Sequence, residues 1–190
     1  MARETAEKSF ARIRQALVAE VAEKGIGATS VGAVAKRARV ATGTIYLRFE
    51  NKEEMLQQVY LQIKSDMHER MMLAAPAATS REMIRNIWFA LVAFTQSHPQ
   101  EFMFVEFAGA AQILTEAQNA KLAQDAEALL DLIAGAVADG TLAPLPVSTI
   151  VTLLVGPVAF LARQSVMAGS ETPPSDLNQM FDRIWLSIAA

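Results

Sequence analysis

Hydroxyl, glycine and basic residues are concentrated between residues 42 and 52 of this 190-residue chain. Hydroxyl groups donate hydrogen bonds to phosphate oxygens, a glycine lets the backbone approach a neighbouring surface, and a basic side chain adds positive charge. The residues in question are Thr42, Gly43, Thr44, Tyr46, Arg48 and Lys52. The pattern favours contact with a nucleic acid; the alternative is that Tyr46 is half-buried and Thr44 merely solvated.

Two short helices must position these side chains. Periodicity predicts one helix from Val31 to Ala38, after Ser30 as a good N-cap, and another from Thr42 to Phe49. Neither helix is long enough to form a core alone, so the two must pack on each other. The residues assigned to the packing face are Val31, Val34, Ala35, Ala38, Val40, Ile45 and Phe49. We therefore predict a helix-turn-helix with the hydroxyl residues on the outer face of its second helix.

The charge of the chain is divided unevenly. The net charge is −3, but residues 1–53 hold ten Lys and Arg against six Asp and Glu, which is +4, and residues 54–190 hold seven against fourteen, which is −7. A basic N-terminal part on an acidic body is typical of a protein that contacts phosphates with one end.

Composition narrows the class of protein. There are no cysteines, which excludes disulfides and thiolate metal sites and favours a reducing compartment. The charged start does not resemble a secretory signal. The longest apolar stretch, from Ile150, is interrupted by Gly156 and Pro157, and we interpret it as too short to span a bilayer. We therefore expect a cytoplasmic protein with no membrane partner.

Helical periodicity dominates the whole chain, and we predict an all-α fold of about nine helices. The first ends at Lys24, where Gly25 is expected in a left-handed conformation. The fourth begins at Asn51 with Glu54 in a capping box. Five further helices are predicted at residues 80–97, 101–111, 115–139, 147–167 and 175–188. We assign residues 1–52 to a helix-turn-helix domain and residues 53–190 to a ligand-binding and dimerisation domain.

The segment AEKGIGATSVGAVAKRARVATGTIYLRFENKEEML resembles the helix-turn-helix of TetR-type repressors, over roughly residues 10–56. The glycine after the first helix, the capped second helix, the Gly43–Tyr46 run and the Asn51 helix start match in order and spacing. The resemblance implies a homodimer that binds a palindromic double-stranded DNA operator and releases it when a ligand binds the C-terminal domain. It also implies phosphate or base contacts for five residues, which are Ser30, Thr42, Thr44, Tyr46 and Lys52.

Three departures from the family pattern affect the expected site. Arg39 stands where a turn glycine is usual, Ala41 replaces the serine that caps the recognition helix, and Gly32-Ala33 replaces an Arg-Asp pair. A left-handed Arg39 would be strained. We expect Arg37, Arg39 and Arg48 to compensate for the missing charge.

Beyond the fourth helix, aromatic and methionine side chains suggest an adaptable apolar pocket, although such residues also fill ordinary cores. We predict a largely apolar small-molecule ligand. The candidate ligand-binding residues are Met67, Met71, Trp88, Phe89, Phe102, Phe104, Phe107 and Gln112.

The last two helices have wide apolar faces, which a dimer interface would cover. The candidate interface residues are Leu154, Val158, Leu161, Phe181, Ile184 and Trp185. A membrane-facing surface or a monomer core is the alternative.

An enzyme is the rival class of protein. The chain has only His68 and His98, no glycine-rich phosphate loop and no metal-ligand spacing, so we assign no catalytic residue, metal or cofactor. A nucleic-acid-binding dimer without a small-molecule effector is the other alternative. A ligand-responsive transcriptional regulator, most simply a repressor, is the interpretation that we carry forward.

Overall fold

The computed structural model describes residues 2–169 and 172–190, with the backbone alone for residues 2–6 and 168. In these residues nine α-helices form: α1 (Ala2–Ala28), α2 (Val31–Ala38), α3 (Thr42–Tyr46), α4 (Lys52–Ala74), α5 (Ser80–Ser97), α6 (Pro99–Ala110), α7 (Glu116–Ala138), α8 (Val147–Ala168) and α9 (Pro174–Ile188). The part of the chain that is described has no strand, only an isolated bridge between Leu142 and Ala189. The predicted all-α fold is confirmed.

Helices α2 and α5 have the predicted bounds, whereas α3 ends three residues early, at Tyr46. The carbonyl of Ile45 accepts hydrogen bonds from the N–H groups of Arg48 and Phe49, both at 2.9 Å. This turn carries the Phe49 side chain, 1% exposed, into the core. The predicted packing face is otherwise correct, with Val40 half-buried and the remaining members buried.

Gly25 interrupts α1 as expected from its position. Its dihedral angles, φ 78° and ψ 164°, lie in a region that side chains rarely adopt, and one more helical turn follows to Ala28. The buried Thr29 hydroxyl donates to the Gly25 carbonyl at 2.9 Å. The chain therefore turns at the predicted glycine, but α1 ends four residues later than predicted.

The start of α4 is a capping box with one displaced bond. The N–H of Glu54 donates to Asn51 Oδ1 at 2.8 Å, as the sequence predicts. The Glu54 carboxylate accepts in return from the N–H of Glu50 at 2.5 Å, one residue before the N-cap. Two backbone donors at the start of α4 are thereby satisfied.

The chain divides into two compact units. The first holds the residues up to Lys64 together with Met103–Thr115, and the second holds Ser65–Phe102 with Glu116–Ala190. Helices α4 and α6 each contribute to both units. The domain boundary proposed after residue 52 stays a prediction.

In the second unit, α5 packs against α8 and α9. The Trp88 indole N–H donates to the Leu154 carbonyl at 3.0 Å, and the Trp88 ring contacts Phe181 of α9 at 5.5 Å between centroids. The end of the chain is held by backbone bonds, including Ala143 N–H to the Ile188 carbonyl at 2.8 Å.

Helix α8 is longer than the apolar stretch identified in the sequence. Among the described residues, Val147–Met167 is by length and composition alone an apolar helix of 21 residues that could cross a membrane. The apolar run that begins at Ile150 is part of this longer helix, and the expectation of no membrane partner stays a prediction. Within its 18-residue apolar window, 22% of the residues are buried in the protomer, and the other described residues of α8 are half-buried or exposed.

Candidate DNA-binding surface

An ion network joins α1 to α2. Arg37 Nε donates to Glu20 Oε1 at 2.8 Å, its other nitrogens bind both oxygens of Glu23, and Lys24 Nζ donates to Glu20 at 2.7 Å. Glu20 is only 3% exposed. The Lys24 hydrogen bond, more than the bonds from Arg37, holds the pKa of Glu20 below its ordinary value. Arg37 is thus neutralised within the unit, and the expectation that it compensates for the missing DNA-contacting charge loses support.

Two predicted contact residues also hold the helices in place. The Ser30 hydroxyl oxygen caps α2 by accepting from the Ala33 N–H at 3.2 Å, which leaves its own hydrogen free to donate outward. Lys52 Nζ donates to the Gly27 carbonyl near the end of α1 at 3.1 Å. The sequence assigned Ser30 its cap correctly but gave no sign of the Lys52 contact, which depends on the turn at Gly25.

The five-residue α3 presents its polar side chains outward. Thr42 and Gly43 are exposed, Thr44 is half-buried, and Tyr46 is 55% exposed while Ile45 is buried. A Cβ on Gly43 would meet nothing within 4 Å, so no contact within the protomer requires glycine there. Ala41 lies at the N-cap and supplies no side-chain bond. The Thr44 N–H donates to the Ala41 carbonyl at 2.9 Å, which leaves the amides of Thr42 and Gly43 at the uncapped end of α3 for an external acceptor.

The two other candidate arginines differ in environment. Arg39 ends α2 in the left-handed conformation, with φ 55° and ψ 46°, and its side chain is exposed. The Arg48 guanidinium lies 4.1 Å from the centroid of the Phe10 ring, on which it stacks. A stacked guanidinium keeps its charge and its outer donors, so the contact orients Arg48 without consuming it.

One side chain on this surface was missed from the sequence. Leu47 follows α3 and is 90% exposed. Sequence reasoning had assigned only polar and basic side chains to the surface, yet the spacing of buried Ile45 and Phe49 already places residue 47 outward.

Comparison with known proteins decides the family. Residues 13–59 match the model of the bacterial regulatory proteins of the tetR family, and residues 53–188 match the tetracyclin repressor-like C-terminal domain. The chain belongs to the TetR family. As a TetR-family member it is a DNA-binding transcriptional regulator, and its family relatives bind operators as dimers.

Individual TetR-family relatives agree with this assignment. The HTH-type transcriptional regulator YhgD of Bacillus subtilis is 29% identical over 133 residues, which is 67% of this chain and 69% of the relative. The fatty acid metabolism regulator protein of the same organism is 40% identical over 62 residues, 33% of this chain and 32% of the relative. A TetR regulator structure from Marinobacter aquaeolei superposes with a TM-score of 0.90, at 23% identity and 98% coverage of both chains.

Five of the ligand-binding candidates of this TetR-family chain lie in its second unit. Trp88 is 2% exposed and makes a T-shaped contact with Phe89 at 5.0 Å, and both rings pack on Phe181. Phe102 and Met67 are buried, and Met71 is half-buried. Trp88 and Phe89 therefore belong to one aromatic cluster, in which Trp88 is buried and Phe89 is half-buried. Their part in ligand binding stays a prediction.

The other three candidates lie in the first unit. Phe104 is buried, whereas Phe107 is 49% exposed. Gln112 is exposed and has a positive φ of 50°, and its N–H donates to the Gly109 carbonyl at 3.0 Å. That conformation ends the helix α6, which gives Gln112 a structural role independent of any ligand.

Lys64 is a charged group in the first unit that the sequence did not single out. Burial lowers the pKa of its ammonium group, and the Glu106 carboxylate on α6 partly opposes that shift. One turn earlier on α4, burial raises the pKa of Tyr60, to which Glu106 also contributes. The face of α4 that packs in the first unit thus carries a hydroxyl and an ammonium group among its apolar side chains.

A small crevice opens between α5 and α8 in the second unit. Its volume is about 10 Å³, enough for one water molecule. Its lining residues are Val92, Thr95, Gln96, Leu161, Ala162, Ser165 and Thr172. None of the ligand-binding candidates lines it, so an apolar ligand at this place would have to widen it.

Most of the candidate dimer-interface residues are buried by contacts within the protomer. Leu154, Val158, Phe181 and Ile184 are buried, and Leu161 and Trp185 are half-buried. Other apolar residues of the same two helices are outside, which are Leu153, Phe160, Val166, Met167 and Leu186. Helices α8 and α9 remain candidates for a dimer interface. The side chains available to contact a second subunit are those of this exposed set.

Proposed function

We propose that this chain is a homodimeric repressor that releases a palindromic operator when a largely apolar small molecule binds its C-terminal domain. Operators lie on chromosomal DNA, so the proposal also assigns the protein to the bacterial cytoplasm. The observation that carries it is the outer surface of α3, where Thr42 and Tyr46 are exposed and Thr44 is half-buried. Arg39 ends α2 just before it, and Lys52 begins α4 just after it.

The chemistry of this surface suits a major groove. Hydroxyl donors and free helix amides position a protein on phosphates, and the open space at Gly43 lets the α3 backbone approach the duplex. Ser30 and Lys52 lie at the starts of α2 and α4, where helix amides add to the attraction for phosphate.

A homodimer is supported by the uncovered surface of α8. Leu153, Phe160 and Met167 recur every seven residues, so they lie along one face of the helix. They are 36%, 57% and 81% exposed, and Leu186 of α9 is 70% exposed. A second copy of the chain that packs on this stripe would remove it from water and pair two recognition helices with two half-sites.

Ligand response is supported by the continuity of α4. This helix begins at Lys52 beside the Gly27 carbonyl and runs without a break to Ala74, over about 35 Å. A ligand that prefers one position of the C-terminal part of α4 would change the separation of the recognition helices.

The test is a titration of the protein with DNA from upstream of its own gene, followed by fluorescence anisotropy. Replacement of Tyr46 by Phe removes one hydroxyl donor and should weaken binding about tenfold. Replacement of Lys52 by Met should reduce the salt dependence by about two phosphate contacts per dimer. Both variants should remain dimeric, and unchanged affinity in both would refute the DNA-binding assignment of these residues.

The ligand half is tested separately by adding fatty acids and steroids as apolar probes. The expected result is release of DNA at concentrations that also raise the melting temperature of the protein. The closed aromatic cluster around Trp88 favours the rival, a dimeric regulator without an effector. Probes that bind the protein and leave its affinity for DNA unchanged would support that rival.

A further inference from the structure

Leu47 is an apolar side chain on a surface of polar ones. It is the most exposed large hydrophobic residue in the described part of the chain, at 90%. Single exposed leucines are common on proteins and need no explanation by themselves. Leu47 differs from such residues in its position. It directly follows the recognition helix and lies between two candidate DNA-contacting residues, Tyr46 and Arg48.

Two local features determine the direction of the Leu47 side chain. Buried Ile45 and Phe49 on either side direct residue 47 away from the core. The Leu47 N–H donates to the Gly43 carbonyl at 2.9 Å, which places the two residues one turn apart on the same exposed side of α3. Residue 47 thus follows Gly43 by one turn, and no side-chain atom of Leu47 lies within 4 Å of the position that a Cβ on Gly43 would take.

Leu47 and Gly43 are both exposed and have no polar side chain, and together they form an apolar patch on the outer side of α3, which we call the apolar step. A Cβ on Gly43 would have no neighbour within 4 Å, so the space beside the leucine is open. Hydroxyl and guanidinium groups flank the step and suit phosphates. A leucine has no donor or acceptor and can recognise only an apolar group.

We propose that Leu47 reads thymine, by packing against the C5-methyl group of one thymine in each operator half-site. That methyl is the apolar group that bases present in the major groove, and it distinguishes thymine from cytosine and from uracil. The inference rests on the proposed docking of α3 in the major groove. It adds a specificity-determining residue to a surface otherwise suited to backbone contacts.

The experiment removes the methyl group from the DNA and the leucine from the protein. An operator is first selected from random duplex DNA with the wild-type dimer. Each thymine of a half-site is then replaced by deoxyuridine, which lacks only the C5-methyl, and affinities are measured by fluorescence anisotropy. One thymine per half-site should lose about fourfold in affinity on replacement, the value of one buried methyl group.

The variant Leu47→Ala should bind the thymine operator more weakly and should no longer distinguish thymine from uracil at that position. Its melting temperature should equal that of the wild type, because the side chain is almost fully exposed. Leu73→Ala is the matched control, since Leu73 is 75% exposed on α4. It should retain both the affinity and the discrimination.

Two outcomes would overturn the inference. A thymine preference that persists in Leu47→Ala would assign the methyl contact to another residue. A loss of affinity in Leu47→Ala without any uracil effect in the wild type would mean that the leucine contacts the DNA backbone. Failure of the wild type to select any operator would instead refute the proposed function.

Discussion

Arg39 is the residue at which this chain departs most clearly from an unstrained turn. It adopts the left-handed conformation at the end of α2, where its N–H bonds back to the carbonyls of Ala35 and Lys36. A residue with a Cβ pays about 1 kcal/mol for that conformation, which a glycine adopts freely. The exposed guanidinium is the feature that a glycine would lack.

The substitution Arg39→Gly separates these two effects. It should raise the free energy of unfolding by about 1 kcal/mol, because the strain is removed. It should lower the affinity for DNA, because the charge is removed. Urea unfolding and anisotropy titrations measure the two. Arg39→Lys keeps the Cβ and the charge and should change neither greatly; a destabilised Arg39→Gly would contradict the strain argument.

Glu20 makes the helix-turn-helix unit sensitive to acid. Lys24 and Arg37 hold its pKa below the ordinary value, so its folded form binds protons less readily than its unfolded form. The stabilisation is complete above the unfolded pKa and is lost as the pH falls below about 4.3. The pKa of Glu23 is lowered as well, chiefly by Arg37.

Replacement of Arg37 by Met should therefore lower the melting temperature by several degrees at pH 7, since Glu20 and Glu23 lose a partner. The difference from the wild type should shrink as the pH is lowered toward 3. Thermal melts followed by circular dichroism between pH 3 and pH 7 measure it. Glu20→Gln is the control, with a flatter pH profile; an equal deficit for Arg37→Met at every pH would count against this ion network.

Among the elements, α3 is the one least able to form by itself. It has five residues, no side-chain cap and only Ile45 buried, so its geometry depends on packing against α2. The sequence predicted its start correctly and its end three residues too late. Helical periodicity continues to Phe49, but the turn that buries Phe49 is made by bonds to the single carbonyl of Ile45.

A cap should stabilise this element. Ala41 has the extended conformation of an N-cap, with φ −66° and ψ 144°, so a serine there can accept from the N–H of Gly43, the second residue of α3. Ala41→Ser should raise the free energy of unfolding by about 1 kcal/mol. Ala41→Val, which adds bulk without an acceptor, should not. Equal urea midpoints for Ala41→Ser and the wild type would show that the cap is already supplied in another way.

For the whole molecule, the exposed stripe on α8 is the dimer interface that we propose. Phe160 lies at the centre of the stripe, between Leu153 and Met167. Phe160→Glu would place two charges near each other in an apolar interface, which is strongly unfavourable. The variant should sediment as a monomer and should lose most of its affinity for a two-half-site operator.

Analytical ultracentrifugation and anisotropy titration measure these two effects. Leu73→Glu introduces the same charge at an exposed leucine of α4 and should remain dimeric with unchanged DNA affinity. A dimeric Phe160→Glu would move the interface to another part of the molecule.

The sequence by itself determined the helical class, the bounds of α2 and α5, the Ser30 and Asn51 caps and the outward position of Tyr46. These features depend on residues within one or two turns, such as a capping side chain or the spacing of Ile45 and Phe49. The TetR resemblance was carried by the same local pattern.

Only the tertiary structure decided which apolar residues are buried within the protomer and which stay exposed. Leu154 and Phe181 are buried in the protomer while Phe160 and Leu186 are outside, although all four lie on apolar helices. Trp88 is likewise held in the core by its bond to the Leu154 carbonyl, 66 residues away. Periodicity shows that a helix has an apolar face, but the neighbour that covers the face comes from distant parts of the chain.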